Sequence, residues 1–297
     1  MSNALTDFSK GLTSAVEQAG AGTLLVDARK RYPASGIAYA EDLVLTADHV
    51  VTRDDIKVSL PDGKTLSATI AGRDPGSDLA LLRLAEKTLK PAKTSSEVKV
   101  GQLVLALGRP NSAGMQASWG IVTAIAGPAR THRGGLLDEY IQTETTPYPG
   151  FSGGPLVNTE GEVLGLNTSG LTRGSSLTIP VKVAWRIADE LAKHGSVKRG
   201  YLGVRTQPVE LPEAARTSLK REQKSGLLVL WLEDNGPAQK GGLYVGDTLV
   251  AVAGQPVSDP DDLFAALSSE TVGKSVVVEV LRGGKPENVN VTVGERK

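Results

Sequence analysis

The chain has 297 residues, and its 33 basic side chains balance 33 acidic ones. Balanced charge provides no strong field for binding nucleic acid or an anionic membrane. The absence of cysteine excludes disulfides, thiolate metal sites and a cysteine nucleophile, and three histidines argue against a zinc centre. We therefore expect no metal and no cofactor. Thirty-four glycines and 16 prolines favour β structure with many turns.

The first residues predict a short amphipathic helix. Apolar side chains fall at helical spacing from Leu5 to Ala19, and Gly20 and Gly22 follow. This helix would pack on the body of the protein or, through Phe8, hold copies of the chain together. The sequence shows no basic leader with an apolar core and no run of about 18 apolar residues. As written, it predicts a cytoplasmic protein without a membrane span, whereas a trimmed N-terminus would leave the cell envelope open.

Short β-type runs then follow in two sets, over residues 23–100 and 103–179. Strands this short and this frequent suit antiparallel barrels. Apolar spacing predicts a further helix from Val181 to Lys193, ended by Gly195.

The remaining residues have the composition of a separate small domain. Apolar runs there alternate with turns, and Asp259 followed by Pro260 predicts a helix start. The expected organisation is an N-terminal helical segment over residues 1–22, a two-barrel body over residues 23–197 and a second domain over residues 198–297.

Three motifs in the body carry groups that together would form a nucleophilic catalyst. Ser152 lies between glycines, which allow a sharp turn whose N–H groups face a substrate oxygen. Serine needs a base and an orienting group, and His49 and Asp78 lie upstream beside strand-like sequence. The order His49, Asp78, Ser152 is that of chymotrypsin-like proteases. Asp48 is a poor orienter, because neighbours on an extended chain point to opposite faces.

The surrounding residues suggest how a substrate would be held. The N–H groups of Gly150 and Ser152 are the predicted oxyanion hole. Tyr148 and the stretch 167–171, which includes Leu171, are predicted to border the primary pocket. No acidic residue stands at a pocket base in this part of the sequence, which argues against a preference for Lys or Arg.

With these motifs placed, the chain resembles the HtrA/Deg family of trypsin-like serine proteases. Residues 46–50, 77–82 and 150–156 are similar to the family's histidine, aspartate and serine motifs. The resemblance implies a mostly β fold, in which a chymotrypsin-like double antiparallel β-barrel precedes a PDZ-like α+β domain. It further implies an ATP-independent serine endopeptidase of protein quality control, which cleaves unfolded or damaged proteins after small aliphatic residues.

The resemblance extends to the second domain and to assembly. It implies that a loop captures the C-terminal carboxylate of a peptide and that a helix lines the groove beside it. It also implies a homotrimer formed through the N-terminal segment, and a sensor loop over residues 127–135, where His132 could act as a pH switch. The residues expected to bind the peptide are Tyr201, Leu202, Gly203, Val204, Leu263 and Leu267.

Two alternatives and one departure remain. The glycines around Ser152 also fit the nucleophile elbow of α/β hydrolases, which needs an acid and then a histidine later in the chain. Only His194 follows Ser152 as a histidine, and the long α/β alternation of that fold is absent. A catalytically silent peptide-binding or chaperone module is the other alternative. It gains support from Phe151, which stands where the family usually has asparagine.

Overall fold

The computed structural model describes residues 3–131, 135–171, 176–219, 221–267 and 271–295. These residues form two compact units, of which the first ends at Val197 and the second begins at Lys198. His132, the suggested pH switch, lies outside the described residues. Within the described residues, none of the helices combines the length and apolar character that crossing a membrane requires.

The first barrel holds the histidine and aspartate motifs. Its antiparallel strands close in the order β1-β2-β3-β6-β5-β4. Alternate apolar side chains point inward, as in β4, where Ile56 and Val58 are buried and Lys57 is exposed. The strands are β1 (Thr23–Asp27), β2 (Ala34–Ala40), β3 (Leu43–Ala47), β4 (Ile56–Ser59), β5 (Thr65–Asp74) and β6 (Leu79–Leu84), with a 3₁₀ helix (Asp48–Val50) after β3.

The second barrel holds the serine motif. Its antiparallel strands close in the order β11-β14-β13-β12-β7-β8, and β9 pairs with β10 beside it. The buried core includes Val104, Ile141, Leu156 and Leu164. The strands are β7 (Leu103–Asn111), β8 (Gly114–Ala126), β9 (Ala129–Arg130), β10 (Leu136–Leu137), β11 (Tyr140–Thr143), β12 (Pro155–Val157), β13 (Val163–Thr168) and β14 (Leu177–Pro180).

Two helices of the first unit confirm the sequence predictions. Helix α1 (Ala4–Gly20) begins where the Asn3 side chain accepts a hydrogen bond from the Leu5 N–H, and it buries only a narrow stripe. Helix α2 (Val181–His194) ends at Gly195, whose φ of 74° is readily adopted only by glycine.

The second unit is an α+β domain with its own buried core. Its main sheet runs β16-β17-β18-β20-β21, with β19 paired to β18, and β15 pairs with β22. Asp259 caps α5, as predicted, while the short helices α3 and α4 lacked a clear sequence signal. The elements are β15 (Gly200–Tyr201), β16 (Val204–Glu210), α3 (Glu213–Leu219), β17 (Ser225–Leu232), α4 (Pro237–Gly241), β18 (Thr248–Val252), β19 (Gln255–Pro256), α5 (Pro260–Ala266), β20 (Ser275–Arg282), β21 (Lys285–Thr292) and β22 (Gly294–Glu295).

Candidate active site

The structure pairs the predicted histidine and aspartate. His49 lies in the 3₁₀ helix that follows β3, and Asp78 lies in the turn before β6, which pairs with β3. The His49 Nδ1 atom lies 2.8 Å from Asp78 Oδ2, and the His49 backbone N–H donates to Asp78 Oδ1 at 2.8 Å. Two contacts to one residue fix both the position and the rotation of the imidazole ring.

Asp78 is held by more than the histidine. Its side chain is fully buried, and Oδ2 also accepts a hydrogen bond from the Thr168 hydroxyl at the end of β13. These hydrogen bonds hold the carboxylate in one orientation. Gly170 closes the space beside the pair, because a Cβ there would lie 2.2 Å from Asp78 Oδ2 and 2.5 Å from His49 Nδ1.

The serine loop depends on glycine at two positions. Gly150 and Gly153 have φ values of +91° and +86°, which other residues rarely adopt. A Cβ on Gly153 would also lie 2.1 Å from the Ser35 carbonyl oxygen. The loop is therefore pressed against the first barrel, where the Ser35 N–H donates to the Ser152 carbonyl at 3.1 Å.

Ser152 and His49 face the same cavity, which has a volume of about 530 Å³. The Ser152 hydroxyl lies 3.2 Å from the Ser169 hydroxyl, and among the described residues that is its hydrogen-bond partner. The Nδ1 side of the imidazole is occupied by Asp78, so Nε2 is the nitrogen available to a substrate or to the serine. Hydrogen bonds at resting catalytic sites are often long and shorten only when substrate binds.

The predicted oxyanion donors make no hydrogen bond within the described chain. The N–H groups of Gly150 and Ser152 donate to no described residue, whereas those of the neighbours at 151 and 153 are satisfied. The Phe151 N–H donates to the Tyr148 carbonyl at 3.1 Å, and the Gly153 N–H donates to the Asn167 carbonyl at 2.8 Å. Two unused donors flanking a serine can stabilise an oxyanion.

Phe151 anchors the serine loop. Its side chain is buried in the core of the second barrel, and its ring meets Tyr148 edge-on with the ring centroids 5.4 Å apart. Gly108 makes room for the ring, because a Cβ there would lie 2.6 Å from it. Phe151 therefore makes a packing contact at the position where the family usually has asparagine.

Tyr148 and Leu171, both expected to border the primary pocket, line two different cavities. Tyr148 lines the cavity that holds Ser152. Leu171 is almost fully buried and lines a separate small cavity beside Leu137 and Leu177. Leu171 therefore lies outside the wall of the Ser152 cavity.

Comparisons with known proteins show the family to which the chain belongs. A family model for a trypsin-like peptidase domain matches residues 34–166, and one for a PDZ domain matches residues 200–293. The HtrA-type protease AlgW, solved with a tripeptide, is 30% identical and has a TM-score of 0.79, with 96% of this chain and 97% of that chain covered. The chain belongs to the HtrA family of serine proteases. The serine endoprotease of Yersinia pestis, 27% identical, also has a TM-score of 0.79 and covers 96% of this chain and 98% of its own.

Curated HtrA-type relatives are more similar in sequence but longer. A probable periplasmic serine endoprotease, DegP-like, from Pseudomonas fluorescens is 40% identical over 266 residues, which cover 87% of this chain and 55% of the relative. One from Halomonas elongata is 39% identical over 276 residues, covering 90% and 57%. The chain thus spans little more than half the length of these relatives.

The predicted cytoplasmic location is wrong. The curated HtrA-type relatives are named periplasmic, which points to the cell envelope. The prediction rested on the lack of a leader in the sequence as written. The start of a sequence as written does not decide the compartment of the folded protein, so this signal misled the prediction.

Sequence reasoning missed the residues that support the HtrA site from a distance. Ser35 donates through its hydroxyl to the Gly150 carbonyl at 2.7 Å and accepts from the Arg109 N–H at 2.8 Å. It is a single serine on a strand, with no motif around it. Thr168 and Gly170 belong to the stretch that was predicted to border the primary pocket, but nothing local showed that they would pack against Asp78.

The expected peptide-binding residues lie around one edge of the PDZ domain. The N–H groups of Leu202 and Gly203 donate to no described residue, and Tyr201 lies in β15. Val204 begins β16, which pairs with β17 on one side and ends the main sheet. Leu263 and Leu267 are buried in the core of this domain.

No cluster of three or more His, Cys, Asp or Glu side chains suited to a metal ion occurs in the described part of the chain.

Proposed function

We propose that this chain is an ATP-independent serine endopeptidase that cleaves unfolded or damaged proteins. The observation that carries the proposal is the convergence of the His49–Asp78 pair, Ser152 and two unused N–H donors on one cavity. The names of the HtrA-type relatives favour cleavage over a silent binding module.

In the proposed mechanism, Ser152 Oγ attacks the peptide carbonyl while His49 Nε2 takes its proton. Asp78 keeps the proton on Nδ1 and stabilises the imidazolium that forms. The N–H groups of Gly150 and Ser152 stabilise the oxyanion, a contribution of about 10²- to 10³-fold in turnover for each donor. His49 then gives its proton to the leaving amine, and water hydrolyses the acyl-enzyme.

The test compares the wild type with Ser152→Ala in digestion of casein and labelling by a fluorophosphonate probe. Loss of both signals in a variant with unchanged melting temperature is expected. Casein digestion at the wild-type rate by this variant would refute the nucleophile.

Substrate choice near the cleaved bond is part of the proposal. We expect a small aliphatic residue before the cleaved bond, as the family resemblance implies, and no described residue that lines the Ser152 cavity is acidic. A peptide library that showed strict cleavage after Arg would contradict this preference.

The PDZ domain, residues 198–297 in our proposal, would bind the C-terminus of a peptide. The unused N–H groups of Leu202 and Gly203 would hold its carboxylate, and the free edge of β16 would pair with its backbone. Leu263 and Leu267 would support the groove from the core side. A C-terminally amidated peptide should bind at least tenfold more weakly in calorimetry, and equal affinity would refute the carboxylate site.

A homotrimer formed through the N-terminal segment completes the proposal. It is supported by an apolar patch in which Leu5 and Phe8 of α1 are exposed beside the exposed Trp119 of β8. The Phe8 and Trp119 rings meet edge-on with the ring centroids 6.3 Å apart.

A further inference from the structure

A run of cationic side chains lines the cavity that holds Ser152. The turn between β1 and β2, residues 28–33, contributes Arg29, Lys30 and Arg31 to its wall. Lys30 and Arg31 are exposed, and Arg29 is partly buried. No described residue of the wall is a carboxylate, so the cavity has one sign of charge.

These three cations lack an anionic partner within the described chain. The nearest carboxylate in sequence, Asp27, is taken by Arg53 at 2.6 Å. Asp54 and Asp55 follow Thr52 of the wall but do not line the cavity. The undescribed residues of the first unit, 1–2, 132–134 and 172–175, include no Asp or Glu. No carboxylate of the first unit therefore competes with an acidic group of a bound molecule for this wall.

A hydrogen bond within the turn of residues 28–33 holds its conformation. The Arg29 Nε donates to the Tyr32 carbonyl at 2.6 Å, which closes the turn. Burial lowers the pKa of the Arg29 guanidinium, which reflects the cost of partly desolvating an unpaired charge. A carboxylate at this position would offset that cost.

The turn is fastened to the chain that leaves His49. The N–H groups of Thr52 and Arg53 donate to the Ala28 carbonyl at 2.8 and 3.0 Å. His49 is the group that returns a proton to the leaving amine. The cationic wall therefore lies towards the leaving-group half of a bound peptide.

We propose that Arg29, Lys30 and Arg31 select substrates with Asp or Glu within about three residues after the cleaved bond, a reach of roughly 10 Å in an extended chain. The inference rests on the proposed peptidase function and adds its substrate class. Exposed charge pairs are individually weak, so we expect a preference of roughly fivefold in kcat/KM over the neutral amide. The preference should shrink at high salt, because screening weakens exposed pairs.

The test uses internally quenched peptides with one cleavable bond, in which Glu or Gln occupies each of the three positions after that bond. In the whole wild-type chain, the Glu peptides should be cleaved faster at 50 mM salt, and the ratio should fall towards one at 500 mM. Lys30→Gln/Arg31→Gln should lower the ratio, and Lys30→Glu/Arg31→Glu should reverse it in favour of a Lys peptide.

The matched control is Lys87→Gln/Lys90→Gln, which removes the same charge at exposed positions outside the cavity. This variant should keep the wild-type ratio. Equal cleavage of the Glu and Gln peptides by the wild type at 50 mM salt would overturn the inference. A fall of the Glu-to-Gln ratio in the control variant as large as in Lys30→Gln/Arg31→Gln would also overturn it. Cleavage of the Gln peptide, abolished by Ser152→Ala, tests the peptidase function separately, so the two failures are distinguishable.

Discussion

At the scale of single residues, the orientation of the imidazole depends on two residues that pack around Asp78. Thr168 donates to the Asp78 carboxylate, and Gly170 leaves just enough room for that carboxylate and the ring. Thr168 is the last residue of β13, and Gly170 follows two positions later. One short segment therefore holds the His49–Asp78 pair in its geometry.

Gly170→Ala should reduce kcat/KM by about 10²-fold or more, because the added methyl must displace Asp78 Oδ2 or His49 Nδ1. Steady-state peptide cleavage measures the loss. Gly11→Ala in α1 is the matched control, since nothing lies within 4 Å of a Cβ there. If both variants retained wild-type activity, close packing at Gly170 would not matter for catalysis.

Thr168→Val keeps the shape of a buried side chain but removes the donor to Asp78. We expect a loss of about 1–3 kcal/mol in the free energy of unfolding, because a buried carboxylate loses a partner. We also expect a fall of about tenfold in kcat, because the ring is held less firmly. Denaturant unfolding and steady-state kinetics measure the two effects. Thr168→Ser retains the hydroxyl and should restore most of both, and a Ser variant as impaired as Val would contradict this.

At the scale of secondary structure, an ion pair clamps the 3₁₀ helix that carries His49. Arg73, at the end of β5, donates through Nε to Asp48 Oδ1 at 2.6 Å. Its NH2 group donates to the carbonyls of Asp48 and Val51 at 3.3 and 3.0 Å. The Asp48 carboxylate is buried and engaged away from the imidazole. The helix is thus fixed from both sides of His49.

Arg73→Gln should lower kcat about tenfold with little change in KM, because Arg73 positions His49 without lining the cavity. Arg73→Lys keeps the charge but not the planar set of donors, so it should recover only part of the rate. The double variant Asp48→Asn/Arg73→Gln should be more stable to denaturant than Arg73→Gln alone, because the buried charge has been removed. A rise in KM with an unchanged kcat would instead indicate a role in substrate binding.

Elements with local signals could be predicted from the sequence, and contacts between distant segments could not. Both α1 and α2 followed from apolar spacing, and the end of α2 followed from Gly195. The Ser35–Gly150 contact joins residues 115 positions apart, and the Thr168–Asp78 contact joins residues 90 apart. These hydrogen bonds form only when the strands have assembled into barrels. The sequence around each residue contains no pattern that predicts its partner.

At the scale of the whole molecule, the order of the motifs predicted the HtrA-type architecture, whereas the proposed assembly concerns surface that folding leaves exposed. Leu5 and Trp119 are 73% and 61% exposed, although both are large and apolar. Helix α1 buries Ala15 and Ala19, while Leu5 and Phe8 remain outside. This apolar patch, which spans a helix and a strand, is the surface on which the proposed trimer rests.

Phe8→Glu should therefore convert the proposed trimer to monomers, because a charge in the contact would have to be desolvated without a partner. Light scattering coupled to size exclusion measures the mass directly. Ser9→Glu is the matched control, since it adds the same charge to the next residue of the same helix, on a different face. The control should keep the wild-type mass. A monomeric wild type would refute the proposed trimer. A trimeric Phe8→Glu variant would show that the interface does not involve Phe8 of α1.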